Sequence, residues 1–277
     1  MLQKKPKAKY FFDIFGGGAA MSLMAAQFGL KVFYTEKNAG IVNLLNFLKD
    51  NKIPENWVRW ITREEFKKCI DKEDPFSVFV TVVWSFGNNR QAYLFGKDIE
   101  ELKRLAFEVV VNQDYKCLEK LQELSGLKLI MPKGKTLNDR RLKFSKQIKT
   151  LKSFQKGSKV LNQIEALTRL IACERLQQLE YLQQLEYLNS LPYDYDEVII
   201  YCDPPYRNTA EYTDNDFNYK EFDEWVKKLK YDVFISEYET PFEKIASFGK
   251  MSLLNNSKDK KPLISENLYF HKAVLND

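Results

Sequence analysis

The chain of 277 residues contains one histidine, His271, near its C-terminal end. A lone histidine weighs against Ser-His-Asp and Cys-His catalysis and against histidine-ligated metals. Cysteine is scarce too. Cys69, Cys117, Cys173 and Cys202 are widely spaced and form no Cys-x-x-Cys pair, so no zinc site, disulfide framework or other metal centre is expected. Four reduced thiols fit a cytoplasmic protein, and the opening Met1-Leu2-Gln3-Lys4-Lys5-Pro6-Lys7 lacks the apolar segment of a secretory signal. No apolar run approaches the ~18 residues of a membrane span, so no membrane partner is expected. Glycine is rare, 11 residues, which makes a cluster of three conspicuous. What remains is globular in composition, 44% hydrophobic and 29% charged, and long enough for one large domain or two modest ones.

The net charge of +5 says less than its distribution. Residues 133–159 hold ten basic side chains, Lys133, Lys135, Arg140, Arg141, Lys143, Lys146, Lys149, Lys152, Lys156 and Lys159, against the single acid Asp139. That local surplus exceeds the charge of the whole chain, so the remainder is net negative. An acidic body with one basic insert is the footprint of a polyanion-binding element, although a solvated basic linker has the same arithmetic. Phe144 and Phe154 between the cations favour a folded contact surface.

Residues 10–15 read as a buried strand, followed by Gly16-Gly17-Gly18 and a helical pattern over 19–28 that stops at Gly29. A second strand over 31–35 ends at Glu36, and a helix follows over 40–50. This strand-helix-strand-helix unit predicts an α/β fold with a parallel sheet. Thr62 and Glu65 form a capping-box pattern. The β-branched run 76–83 predicts another strand, 98–111 a helix and 160–172 a helical pattern. The hexad Leu176-Gln177-Gln178-Leu179-Glu180-Tyr181 recurs over 182–187. Its leucines, three apart, drift around a helix, so an extended stack is the alternative to a helical reading. Strands are expected at 197–202 and 231–236, and the last forty residues read as two antiparallel strands around a loop at 255–261.

Three glycines between strand and helix allow a tight turn and bring backbone amides close to a ligand at a helix N-terminus. Glu36 lies 20 residues after Gly16, the spacing at which a carboxylate can accept ribose hydroxyls. Nucleotide cofactors and S-adenosylmethionine both carry a ribose. The dinucleotide fingerprint G-x-G-x-x-G/A has Met21 at its sixth position here, which disfavours a pyrophosphate cradle. A tight turn without ligand is the bland alternative.

The sharpest motif is Asp203-Pro204-Pro205-Tyr206 at the end of the apolar strand. Two prolines stiffen an extended loop and remove two N–H donors, so the loop offers acceptors, the Asp203 carboxylate and the Pro204 carbonyl. Such a site suits an exocyclic amine, and Tyr206 adds a flat face for a stacked base. A strand terminator beside a buried tyrosine is the alternative.

Together, Phe12-Asp13-Ile14-Phe15-Gly16-Gly17-Gly18 and Tyr201-Cys202-Asp203-Pro204-Pro205-Tyr206 resemble the Dam-like DNA adenine N6-methyltransferases. Trp84-Ser85-Phe86-Gly87-Asn88-Asn89, the Leu-Gln/Leu-Glu repeat and Ile235-Ser236-Glu237-Tyr238 are similar to a phage and prophage-type branch of that family. The resemblance implies a Rossmann-like, mostly parallel sheet with an antiparallel C-terminal hairpin, and a largely helical target-recognition insert. It places the catalytic domain at 1–111 and 190–277 and the insert at 112–189. It further implies S-adenosylmethionine as methyl donor and double-stranded DNA as partner, and a restriction endonuclease is a partner such chains can have. Residue by residue, Asp13, Phe15, Gly16, Gly17 and Gly18 would line the methionine part of the donor, with Glu36 on its ribose. Asp203, also near the donor, would act with Pro204, Pro205 and Tyr206 on a flipped adenine. Lys133, Lys135, Arg140, Arg141, Lys143, Lys146 and Lys149 would meet DNA. The family often has a lysine-bearing motif before the glycine turn; with nine residues ahead of Tyr10, either Lys9 substitutes or the motif is missing, and an acid near the donor's adenine would be Asp194 or Asp196. Methylation of RNA adenine or of cytosine N4, and an inactive DNA-binding relative, are the competing readings.

Overall fold

A computed structural model describes residues 1–86, 89–148, 173–207, 217–250 and 264–274. The chain forms two compact units, Met1–Val42 with Ala172–Asp277, and Asn43–Ile171. These are not the boundaries expected from the sequence, because residues 43–111 group with the second unit. Between Glu36 and Cys173 the described residues add no strand to the sheet. Helices of that stretch cover their apolar faces with one another instead.

The first unit holds a seven-stranded sheet. Its strands are β1 Tyr10–Asp13, β2 Lys31–Glu36, β3 Cys173–Gln178, β4 Val198–Cys202, β5 Val233–Glu237, β6 Glu243–Lys250 and β7 Ile264–His271. Their order is β3-β2-β1-β4-β5-β7-β6. The first five are parallel, and β7 and β6 close the edge as an antiparallel hairpin. Phe12 lies opposite Phe33 on one side and Ile200 on the other, and Asp13 lies opposite Tyr34 and Tyr201. Strand order therefore reverses between β1 and β4, and in open parallel sheets the crevice beyond the carboxyl ends at that point is where ligands bind.

Both faces of the central strands are covered, which explains why their sequences are continuously apolar. Phe12, Ile14, Ile200, Cys202, Val233 and Ile235 share one core with Leu188, Phe222, Trp225 and Val226. The alternate residues Phe11, Ile199, Tyr201 and Phe234 form a second core with Ala25. The period of two along each strand sorts the side chains between the layers. Each fully buried Phe, Val or Ile contributes about 1.5–3 kcal/mol. Helix α1, Ala20–Gln27, supplies Ala25 to the second core.

In the second unit the run expected as a strand at 76–83 is a helix, Pro75–Val83. Asp74 caps it by accepting the Ser77 N–H at 3.0 Å, with Pro75 in the first turn. This Asp-Pro start outweighs the β propensity of valine and phenylalanine, and a helix buried all round has the same continuous apolar pattern as a central strand. The Thr62–Glu65 capping box is present at the start of the helix Arg63–Cys69. Three further helices, Glu100–Val111, Tyr115–Ser125 and Leu137–Gln147, enclose Leu105, Val109, Leu118, Leu121 and Phe144. Phe144 thus belongs to a core, 2% exposed, and not to a contact surface; Phe154 and the helical pattern at 160–172 fall outside the described residues.

The hexad repeat is neither one helix nor one extended stack. Its first leucine lies in β3, Tyr181–Gln184 is a 3-10 turn, and Leu185–Ser190 is a short helix. Its three-residue period suits no single element. Backbone pairing of β3 with β2 captures the first part, while the buried Gln184 pins the second: its amide donates to Thr35 Oγ1 at 3.0 Å.

Candidate active site

The glycine turn is held by the strand beside it. Gly16 N–H donates to the Thr35 carbonyl at 2.9 Å, and Gly17 N–H to Glu36 Oε2 at 2.9 Å. The Tyr34 hydroxyl donates to the Gly17 carbonyl at 2.7 Å. A Cβ at Gly16 would fall 2.0 Å from the Tyr34 ring, so glycine there serves close packing. Gly17 sits at φ +47° and Gly18 is exposed, with open space around the position a Cβ would take at either. Ala19, at φ 59°, completes the turn into α1. Phe15 is half-buried against Tyr181, Phe217 and Phe222, at centroid distances of 5.4, 5.8 and 5.7 Å.

Three carboxylates stand at the carboxyl ends of neighbouring parallel strands: Glu36 ends β2, Asp13 ends β1 and Asp203 follows β4. Asp13 is 1% exposed and accepts the Ser22 hydroxyl at 2.6 Å. Burial pushes its carboxyl pKa up to about 7, Ser22 opposes the rise, and the charges of Asp203 and Glu36 add to it. Glu36 accepts the Asn38 N–H at 2.9 Å on its other oxygen. A carboxylate has about four acceptor sites, so two backbone donors leave room for hydroxyl donors. The Cys202 thiol is pushed well up by burial and by the same two aspartates.

Asp203 is exposed, Pro204 buried, and Pro205 and Tyr206 half-buried. The Tyr206 hydroxyl donates to Glu266 Oε1 at 2.6 Å, and its ring meets Tyr238 at 4.8 Å and 73°. Burial, reinforced by Glu266 and Asp203, pushes the Tyr206 pKa up. The fold thus brings Asp13, Phe15, the three glycines, Glu36 and the Asp203–Tyr206 loop to one end of one sheet. Lys9 and Asp194 with Asp196 lie elsewhere, before the amino ends of β1 and β4. Lys9 pairs with Glu197, and Asp196 with Lys7 at 3.5 Å.

Sequence reasoning missed Ser22, Tyr34 and Gln184, and assigned no role to Glu237 or Glu266. Only Glu237 carried a readable signal, as an acid closing an apolar strand in the manner of Glu36.

Of the seven basic positions, Lys133, Lys135, Lys143 and Lys146 are exposed. Lys143 is tied to the Lys133 carbonyl at 2.7 Å. Arg140 and Arg141 are half-buried and turn to Val111 O, 3.1 Å, and Asn138 Oδ1, 2.7 Å. Lys149 lies outside the described residues. Lys128, which precedes the basic run, joins Lys133 and Lys143 in lining a groove with Ile130, Met131, Pro132 and Gln147.

Among the described residues no cluster of three or more His, Cys, Asp or Glu could hold a metal ion. None of their helices is long and apolar enough to cross a membrane. No family model matches the chain, and no curated protein matches its sequence.

Proposed function

We propose that this chain transfers a methyl group from S-adenosylmethionine to the N6 amine of adenine in double-stranded DNA. The observation that carries the reading is the juxtaposition of Asp13 and Asp203, one closing the strand before the glycine turn and the other opening the Asp-Pro-Pro-Tyr loop. They stand at adjacent strand ends, close enough for each charge to oppose the other. The sheet, five parallel strands and an antiparallel hairpin in the order given, is compatible with a Rossmann-like methyltransferase.

The residues fit the donor by charge. Asp13, Glu36 and Asp203 present oxygen acceptors whose mutual repulsion a cationic ligand relieves, and the donor carries a sulfonium and an α-ammonium. Asp13 and the Gly16–Gly18 turn would hold its methionine part, and Glu36 its ribose. When bound, it supplies an electrophilic methyl on positively charged sulfur.

The remaining work falls to the chain. An aromatic amine is a poor nucleophile because its lone pair is delocalised into the ring. Asp203 Oδ and the Pro204 carbonyl would accept its two N–H bonds, turning the lone pair out of conjugation and stabilising charge that develops on nitrogen. As the N–C bond forms and the S–C bond breaks to leave a neutral thioether, the surplus N–H proton would pass to the exposed Asp203 and on to solvent. Pro204 and Pro205 keep N–H donors out of the corner. Tyr206 offers a face for the extruded base, recovering part of the few kcal/mol that unstacking costs. The exposed Lys133, Lys135, Lys143 and Lys146 would meet phosphates.

Incubation with methyl-labelled donor and duplex DNA, followed by digestion to nucleosides, tests the reading. Label in N6-methyladenine supports it. Label in N4-methylcytosine or only in RNA moves the substrate, and no label in any nucleic acid overturns the reading. Asp203→Ala should abolish transfer while retaining most DNA binding; near-normal methylation by that variant refutes the role of Asp203.

A further inference from the structure

The acceptor loop leaves the site through Tyr206 and Arg207. Because Pro204 and Pro205 have no N–H, these two residues carry the first amide donors by which the loop can be anchored after Asp203. We infer that Glu237 is a positioning residue for this loop: by taking the Arg207 N–H on both carboxylate oxygens, it fixes where the oxygens of Asp203 and Pro204 point. The inference rests on the amine-methylating reading above.

Glu237 closes β5 and is 1% exposed. The Arg207 N–H lies 3.1 Å from each of its oxygens, and the Tyr238 N–H donates to Oε1 at 2.7 Å. One carboxylate therefore ties the loop exit to the end of the neighbouring strand. Side chains brace the same two loop residues from other elements. The Arg207 guanidinium bonds both oxygens of Asp223, at 2.8 and 2.9 Å, and lies 4.9 Å from the Tyr219 ring centroid. Tyr206 is held at its hydroxyl by Glu266 of β7. Two consecutive residues are thus fixed from β5, from β7 and from the helix Tyr219–Lys227.

The chemistry of Glu237 argues against a purely structural part. A neutral amide would meet the Arg207 and Tyr238 N–H groups on one oxygen only and set its own NH2 against the Arg207 N–H, donor to donor; the carboxylate avoids this by burying a charge, which is costly unless fully compensated. Here burial, and the like charge of Asp203, push the Glu237 carboxyl pKa up against the two N–H bonds and the positive charge of Arg207. Such local cost is characteristic of functional sites. The same two donors set the needed reach, so a carboxylate one methylene shorter cannot meet both loop and strand.

The test compares Glu237→Asp with Glu237→Gln in the full-length chain. Aspartate keeps the charge and withdraws its oxygens by about 1.5 Å; glutamine keeps the reach and loses the charge. The expected result is a fall in kcat on the order of 100-fold for Glu237→Asp, the usual consequence of a misplacement of that size. Affinity for the donor alone, read by calorimetry, stays within about twofold, and Glu237→Gln recovers kcat to within about tenfold of the parent. Hydrogen exchange at the Arg207 amide should quicken in Glu237→Asp whatever the activity. Parental kcat in Glu237→Asp overturns the positioning role. So does a loss in which kcat, donor affinity and unfolding midpoint fall together in both variants, or failure of both to fold, since those outcomes mark a general structural part. An unmutated chain that methylates no nucleobase amine overturns the underlying reading, whereas an active parent with an indifferent Glu237 overturns this inference alone.

Discussion

Asp13 offers the sharpest quantitative test, because its carboxyl is buried beside two other carboxylates. Burial, chiefly, raises its pKa from 3.8 to about 7 in the folded protein. Unfolding returns it to solvent, where it loses its proton near 3.8. Between those values the folded chain binds more protons than the unfolded one, so this group's contribution to stability is highest at low pH. It diminishes as pH rises from about 4 to about 7. Three pH units at about 1.4 kcal/mol each give a loss of about 4 kcal/mol above pH 7. Asp13→Asn removes the titration and keeps an oxygen that can accept the Ser22 hydroxyl. Denaturant unfolding of parent and variant across pH 4 to 8 should therefore give two curves that diverge. The parent loses about 4 kcal/mol relative to Asp13→Asn over that span, whatever the constant offset from the new amide.

Donor binding should show the reciprocal effect. A cation near Asp13 favours the ionised carboxylate, so affinity for S-adenosylmethionine should rise with pH up to about 7. Binding below that pH should release a proton. In calorimetry, the binding enthalpy of the parent at pH 6.5 should depend on the ionisation enthalpy of the buffer, and that of Asp13→Asn should not. Parallel unfolding curves for the two proteins would refute the claim that Asp13 is neutral over part of the physiological range.

Gly16→Ala places a methyl group 2.0 Å from the Tyr34 ring, which should destabilise the chain by about 1–3 kcal/mol in thermal unfolding. An unaltered midpoint would mean that the ring has room to move. Replacing Lys133, Lys135 and Lys146 by Gln should reduce the slope of log K for duplex DNA against log salt by about 0.9 for each phosphate that is no longer neutralised. An unchanged slope would mean that other side chains meet the DNA.

The parts of the fold that can be read from the sequence are those governed by neighbours in the chain. Residues 10–12 and 198–202 are apolar throughout because both faces of those strands are covered, and the glycine turn announces itself because glycine is otherwise scarce. Residues 76–83 mislead for the same reason that β4 reads correctly. A buried helix and a central strand share a continuous apolar pattern, and only the Asp74-Pro75 start distinguishes them. Arg140 counts among the exposed cations by composition, which does not show that its guanidinium reaches Val111.

Partners joined across the sheet leave no such trace. Thr35 and Gln184 are 149 residues apart, and Tyr206 and Glu266 are 60 apart. The acids of this site are informative in a graded way. Glu36 is legible because it stands at a fixed interval from the glycines, and Asp203 is legible through its two prolines; Glu237 closes an equivalent strand but has no spacing rule attached to it. Its importance emerges only when the loop is seen to carry two prolines without N–H, and the Arg207 amide to meet Glu237 just beyond them. A parallel sheet places every strand's last residue at the same edge, so each acid that closes a central strand is carried to the ligand crevice by topology alone. Position in the fold, more than local sequence, sets Glu237 within electrostatic reach of Asp203.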